Sequence, residues 1–438
     1  MPRETLSAAV LVCGLAACGQ SSSDRDGSIG APLDDAASDD GGDAATDARL
    51  DAATDARLDA AIDAAIDAPI DAPVDAPVGP PAGTLSFASP VYYASGYKPY
   101  FVRTGDMDGD GDLDLVVGNE QASAVAVFRN IGVRSGNFER VAEFPTGVYP
   151  TGAAIVDLDR DGRLDVITAD YRGDSVSVLR GRGDGTLSQA TSYPTDAGGE
   201  TSNVAVGDLD EDGIVDVIAT NPQRASASVF LGQPNGTLVA GPTISVGAVG
   251  TGEPYSVAIA DVNRDGRNDA VFADDRIGRV RVYLGNGNGT FTVGTTPAIG
   301  GVRSHILLVH DMDRDGLLDV VVANRNSDDV SVLRGNGNGT FRPPIVTSTG
   351  AGTGPYSLAV ADFNYDGIPD IATANFITSS VSVLVGTGDG TFSLVSGGVI
   401  GGTSYGIAAG DFNGDGKPDL AIANATSNTI AIVRNTSM

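Results

Sequence analysis

From residue 84 onward the chain alternates short apolar runs with clusters of Asp and Gly, and the alternation repeats about every 50 residues. In one period the apolar runs are Ala153 to Val156, Val166 to Ala169 and Ser175 to Leu179, with a fourth near Ser192 to Pro194. Runs this short, bounded by Gly and Asp, predict strands rather than helices. Four antiparallel strands per period predict a propeller blade. The expected fold is therefore all-β, a seven-bladed β-propeller with four-stranded blades over residues 84–438.

Between the first and second strands of each period lies one polar motif, D-x-[DN]-x-D-G-x-x-D. Its ligand positions are Asp106, Asp108, Asp110 and Asp114, then Asp157, Asp159, Asp161 and Asp165, then Asp208, Asp210, Asp212 and Asp216. It returns as Asp261, Asn263, Asp265 and Asp269, and as Asp311, Asp313, Asp315 and Asp319. The last copies are Asp362, Asn364, Asp366 and Asp370, and Asp411, Asn413, Asp415 and Asp419. Successive first Asp residues are 51, 51, 53, 50, 51 and 49 residues apart. Alternate side-chain oxygens on a tightly curled loop converge on one hard cation, and Gly permits the turn. Oxygen-only ligands in a flexible loop favour calcium, here up to seven ions. An EF-hand closes with Glu at position 12 between helices, whereas this motif closes with Asp at position 9 between strands. Without a cation, so many neighbouring carboxylates would repel one another.

A glycine turn of the form G-x-G-x-G-T-F recurs at Gly285 to Phe291, Gly335 to Phe341 and Gly386 to Phe392. The absence of Trp argues against WD40 blades. These motifs resemble the FG-GAP/VCBS repeat family, which includes the propeller of integrin α subunits. The resemblance implies the fold and the metal and is weak for function. The last period supplies one strand before its Asp loop and two after it. The segment through Tyr92 is expected to complete the seventh blade and close the ring, which removes open strand edges.

The start of the chain reads differently. An apolar run from Ala8 to Ala17 is too short to span a bilayer and has the length of a signal-peptide core. Leu15, Ala16, Ala17 and Cys18 resemble the lipobox of bacterial lipoproteins, which implies a signal peptide over 1–17 and lipidation of Cys18. Gly19 in place of Asp favours the outer membrane or cell surface. Residues 18–83 are rich in Asp, Ala and Pro, with Asp at every fourth position from Asp47 to Asp75. Like charges at that spacing weaken a helix, and Pro69, Pro73 and Pro77 break one. This segment is expected to be a disordered acidic tether.

The formal charge is −30, which excludes a nucleic-acid footprint. Two Cys and two His leave no disulfide scaffold and no His-rich zinc site. Beyond residue 81, 41 acidic residues face 23 basic ones, an excess that seven divalent ions would largely neutralise.

Six residues before each first Asp stand Tyr100, Thr151, Ser202, Tyr255, His305, Tyr356 and Tyr405. Equivalent positions should form a ring at the channel mouth. Tyr100, Tyr255, His305, Tyr356 and Tyr405 are the candidate ligand-binding residues, through stacking and hydrogen bonding to a sugar. The alternative is that these rings plug and cap the channel. Fourteen residues after each first Asp stand Glu120, Tyr171, Pro222, Asp275, Arg325, Phe376 and Ala425, on the same face. Arg182-Gly183-Asp184 falls within a glycine turn, and His310 reads as a packing variant. The expected function is a lipid-anchored, calcium-binding surface module, monomeric, for a carbohydrate or protein ligand. The alternatives are a polysaccharide lyase or hydrolase, or a structural partner in an outer-membrane assembly. No catalytic residue is assigned, since His305 with Tyr255 or Tyr356 is the one acid–base pair available and nothing in the spacing singles it out.

Overall fold

A computed structural model describes residues 85–132, 135–249 and 252–437. The expected signal peptide, Cys18 and the expected tether fall outside the described residues. Seven four-stranded antiparallel sheets follow one another around a ring. Blade 1 runs Pro99–Gly105, Asp114–Asn119, Ala124–Asn130 and Phe138–Pro145, from the channel outward. Blade 2 runs Pro150–Val156, Asp165–Asp170, Ser175–Leu179 and Thr191–Pro194, close to the strands expected from the apolar runs. Blades 3 to 6 repeat the order in sequence.

The strand chemistry follows radial position. Second strands are buried on both faces, because each lies between two neighbouring blades; Asp165–Asp170 and Asp319–Asn324 are buried throughout. They therefore read as unbroken apolar runs rather than alternating ones. Outer strands border solvent, and Thr191–Pro194 is mostly exposed. Cores form between blades: Ala154, Ile167 and Val178 of blade 2 pack with Val204, Val217 and Phe230 of blade 3.

Blade 7 takes its first three strands, Ser404–Gly410, Asp419–Asn424 and Thr429–Val433, from the end of the chain. Its outer strand, Val91–Ala94, comes from the start. The register pairs Val91 with Ile432 and Ala94 with Thr429. Pairing continues past the strand: Ala88 N donates to Arg434 O at 2.8 Å, and Thr436 N donates to Ser86 O at 2.8 Å. The Tyr93 ring meets Phe138 of blade 1 edge-on at 5.8 Å, which ties the closing strand to the next blade. Among the described residues, no helix is long and apolar enough to cross a membrane.

A chain that begins at Ser95 loses this outer strand and bares the Thr429–Val433 edge. It is expected to melt at a lower temperature than the full chain and to self-associate with rising concentration in analytical ultracentrifugation. A monomer with an unchanged melting temperature would contradict the closure.

Candidate metal centres and the opposite face

Each Asp loop is built around two carboxylates with separate tasks. The first Asp caps the loop: its Oδ2 accepts the N–H of the motif Gly at 2.7–2.9 Å in all seven copies. Those Gly residues sit at φ of 74–90°, where a side chain is disfavoured. The closing Asp is fully buried or nearly so and ties the loop to the sheet. Its Oδ2 accepts the N–H of the residue after the first Asp, at 2.7–3.3 Å. Its Oδ1 accepts an N–H just past the third strand, or from that strand's last residue, at 2.7–2.8 Å.

The residue between the first two ligands is Met107, Leu158, Leu209, Val262, Met312, Phe363 or Phe412, and each is buried. It anchors an acidic loop in the core. The carbonyl of that residue also receives a hydrogen bond from the next blade. Gly185 N donates to Met107 O at 3.1 Å, Gly289 N to Leu209 O at 2.8 Å and Gly339 N to Val262 O at 3.1 Å. Where blades 1 and 7 carry Asn in place of the first turn Gly, the amide makes the link: Asn130 Nδ2 donates to Phe412 O and Asn435 Nδ2 to Phe363 O. The glycine turns and Asp loops thus share one face, as the repeat pattern predicts.

In four loops three carboxylates lie within 4.8 Å of one another, close enough to hold one ion: Asp106, Asp108 and Asp114; Asp157, Asp159 and Asp165; Asp208, Asp210 and Asp216; Asp311, Asp313 and Asp315. The donor set fits a hard cation. Asp159 Oδ1 and Asp210 Oδ1 are buried atoms with no hydrogen-bond partner, which is costly unless something else satisfies them. The other three loops have Asn263, Asn364 or Asn413 at the second ligand position. There the amide oxygen replaces one carboxylate oxygen, and the amide NH2 donates to the third ligand, as Asn263 does to Asp265 at 3.0 Å. Three arginines, Arg129, Arg180 and Arg334, reach into loops of the all-Asp kind, a contact that motif spacing alone did not single out.

On the opposite face, six of the seven ring positions are β-bulges. The first-to-second strand register skips a residue at Tyr100, Thr151, Tyr255, His305, Tyr356 and Tyr405. A bulge re-aims its side chain, and here the re-aimed rings meet across the channel. Tyr100 stacks on Tyr405 at 4.6 Å, and its hydroxyl bonds that of Tyr356. His305 stacks on Tyr356 at 4.8 Å and meets Tyr255 edge-on. Tyr100, Tyr255, His305 and Tyr356 are at most 2% exposed. They differ in this from an open ring of ligand residues: their side chains fill the channel mouth. Burial holds the His305 imidazole far below its ordinary pKa, hence neutral. Of the five candidates Tyr405 alone is half-buried. Phe376 lies 5.1 Å from Tyr405, the Arg325 guanidinium lies 4.4 Å over Phe376, and Lys98 lies 5.9 Å over Tyr405. Arg325 and Phe376 are two of the residues expected on this face; Lys98 joins them only through the fold, from the link between blades 7 and 1. Lys98 also pairs with Glu120 at 2.6 Å.

Arg182-Gly183-Asp184 forms an exposed turn whose Asp184 Oδ1 accepts from Thr186. His310 Nδ1 contacts the Asp311 carbonyl at 3.1 Å, within its own strand end. A ring unseen at the sequence level stands thirteen residues after each first Asp: Asn119, Asp170, Asn221, Asp274, Asn324, Asn375 and Asn424, all fully buried. Some of these side chains satisfy turns at the blade links, as Asn119 Oδ1 does by accepting from Ser95 Oγ and Gly96 N, and others tie their own blade, as Asp170 does by accepting from Ser175 and Ser177. Their equal spacing was the signal available.

Burial pushes the carboxyls of Asp114, Asp216, Asp319, Asp370 and Asp419 up to about 7, and those of Asp269 and Asp170 up to about 6. In the metal-free protein the folded state then keeps protons that the unfolded chain releases above about pH 4. This contribution to stability is fully present below that pH and is lost as the pH rises through 6 to 7. The metal-free protein is therefore expected to unfold at lower urea concentration at pH 7.5 than at pH 5.

The sequence profile of the FG-GAP-like repeat matches residues 106–168, 157–219, 208–272, 261–309, 311–373 and 366–422. No curated protein sequence matches the chain. Among solved structures, the fold is similar to a streptogramin B lyase, with a TM-score of 0.56 and 12% identity over 82% of this chain and 100% of that one. It is also similar to BBS1N from a complex with ARL6DN, with a TM-score of 0.55 and 14% identity over 79% of this chain and 96% of that one. A putative 6-phosphogluconolactonase from Bacteroides fragilis gives a TM-score of 0.53 and 18% identity over 68% of this chain and 83% of that one. Likeness at these identities is a likeness of fold. Five of the six matched repeats start on the first Asp of a loop, the matches together span most of the chain, and the protein belongs to the FG-GAP-like repeat family.

Proposed function

We propose that this protein is a calcium-loaded binding module, held at a bacterial surface by a lipid on Cys18, that recognises carbohydrate at the channel mouth. The calcium reading is carried by the converging carboxylates and by the buried oxygens of Asp159 and Asp210 that lack a partner. All donors are oxygens, as calcium prefers. The ions would be held by the four ligand positions of each loop, with Asn263, Asn364 and Asn413 contributing amide oxygens. The anchor rests on Leu15, Ala16, Ala17 and Cys18 at the end of the apolar run.

The ligand reading rests on one surface feature. Tyr405 and Phe376 present half-buried rings set edge to face, with Arg325 over Phe376 and Lys98 over Tyr405. Ring faces stack on the apolar face of a sugar, and the flanking cations and Glu120 can bond its hydroxyl or acidic groups. The buried rings of Tyr100 and Tyr356 then serve as the floor that holds this pair. Lyase or hydrolase chemistry would need an acid and a base within reach of substrate. His305 is fully buried between rings, so it does not offer one in this arrangement.

Calcium should raise stability by roughly 2–3 kcal/mol for each loop held at about a hundred times its dissociation constant. A chelator-stripped sample is thus expected to melt well below the calcium-loaded one in calorimetry; coincident melting curves would sink the calcium reading. On a glycan array, the calcium-loaded full chain is expected to bind a restricted set of saccharides. Phe376→Ala and Tyr405→Ala should each abolish that binding while the protein stays folded by circular dichroism. Binding that survives both changes would place the ligand elsewhere, and absence of any glycan binding would favour a protein ligand.

A further inference from the structure

The loops differ in charge, and the difference is set by a residue outside the motif. Twenty-three positions after each first Asp stand Arg129, Arg180, Leu231, Leu284, Arg334, Val385 and Arg434. The position lies at the end of the third strand, between its own Asp loop and the glycine turn of the next blade. For Arg129, Leu231, Leu284 and Arg334 the stem keeps one place, whereas at Gly236 the Arg180 guanidinium itself comes nearest. A methyl group added at the last Gly of that turn would lie 2.8 Å from Arg129 Cδ at Gly185, 3.0 Å from Leu231 Cδ2 at Gly289 and 2.7 Å from Arg334 Cδ at Gly390. What varies is the head group.

The head group matches the second ligand of the loop. Three of the four loops with Asp there receive a guanidinium: Arg129 lies 3.6 Å from Asp108, Arg180 lies 3.6 Å from Asp159 and 2.6 Å from Asp165, and Arg334 lies 3.5 Å from Asp313. Loops with Asn there receive none from this position. Leu284 and Val385 stand beside the Asn263 and Asn364 loops. Arg434, beside the Asn413 loop, turns away and donates to Ser135 O at 2.8 Å and Gly136 O at 3.3 Å. An amide in place of a carboxylate and an arginine beside a carboxylate have the same effect: each removes one negative charge from the four-ligand set. The third loop escapes both. Asp208, Asp210, Asp212 and Asp216 are all acidic, Leu231 is apolar, and no ion pair reaches any of the four among the described residues. Elsewhere Arg163 pairs with Asp161 at 3.6 Å and Arg342 with Asp315 at 3.4 Å, whereas the charge of Arg160 acts on Asp212 of the third loop without forming an ion pair.

We propose that the end-of-strand residue sets cation affinity loop by loop, and that the Asp208–Asp216 loop is the first of the seven to take up calcium. Ligand charge count tunes calcium affinity in oxygen-ligand loops, so a loop with one more uncompensated carboxylate binds more tightly. At the distances above, one charge is worth on the order of tenfold in affinity. The inference rests on the calcium reading of the loops and orders them.

The fold itself supplies the test substitutions, because Arg and Leu already alternate at this position. The full chain is stripped of metal, and bound calcium is measured against free calcium by equilibrium dialysis. The expected isotherm has one ion entering at about tenfold lower free calcium than the rest. Leu231→Arg and Asp210→Asn should each merge that ion with the others, and Arg129→Leu should add a second tight ion. Circular dichroism of each variant checks the fold. Isotherms of all three variants that superimpose on that of the unsubstituted chain would overturn the ranking and leave the calcium reading standing. No bound calcium in any sample would overturn both.

Discussion

The rest of the structure depends on seven buried carboxylates. Each closing Asp accepts one N–H from its own loop and one from the end of the third strand. It thereby sets the curl of the loop and the distance between the second and third strands together. No neutral side chain of that size accepts from two backbone donors with equal strength. The cost is desolvation, seen in the raised carboxyl pKa values of the closing residues. A cation in the loop would offset that cost by favouring the ionised form. Architecture and metal chemistry are for this reason one problem here.

The blades are joined by weaker and more varied contacts. Interlocking apolar faces supply most of the burial, and turn-to-loop hydrogen bonds set the stagger. Asn130 and Asn435 show how the repeat tolerates change, since a side-chain amide does what a backbone N–H does elsewhere. Such substitution lets one face hold to the metal-loop pattern while the other diversifies. On that other face, chain-link residues such as Lys98, Arg325 and Phe376 differ from blade to blade, as a recognition surface built on a fixed frame would.

Seven local features were legible without coordinates because each is contained within one period: the strands, the loop, the Gly at its sharp turn, the closing Asp, the glycine turn, the alternation of ligand residues and the missing fourth strand. The pairing of Val91–Ala94 with Thr429–Val433 was also legible, although the partners lie at opposite ends of the domain, because a ring with an incomplete last blade has one place for a spare strand. Of the two readings of the aromatic ring weighed from the sequence, an open ligand ring and a channel plug, the burial of Tyr100, Tyr255, His305 and Tyr356 favours the plug, while the half-buried Tyr405 could not be told from the others. Spacing reports which residues are equivalent and says nothing of how far seven equivalent side chains reach across a channel.

The sequence alone determined the period, the fold class and the oxygen-rich loops, since all of these follow from spacing along the chain. Only the tertiary structure decided the direction of the ring residues, because a one-residue bulge turns them inward, and the partners of the arginines, because Arg129 and Asp108 or Arg180 and Asp159 meet only after the third strand folds back beside the loop. Local spacing sets what each repeat can be; contacts between strands and blades, distant in sequence and close in space, set which charges are neutralised and which rings see solvent.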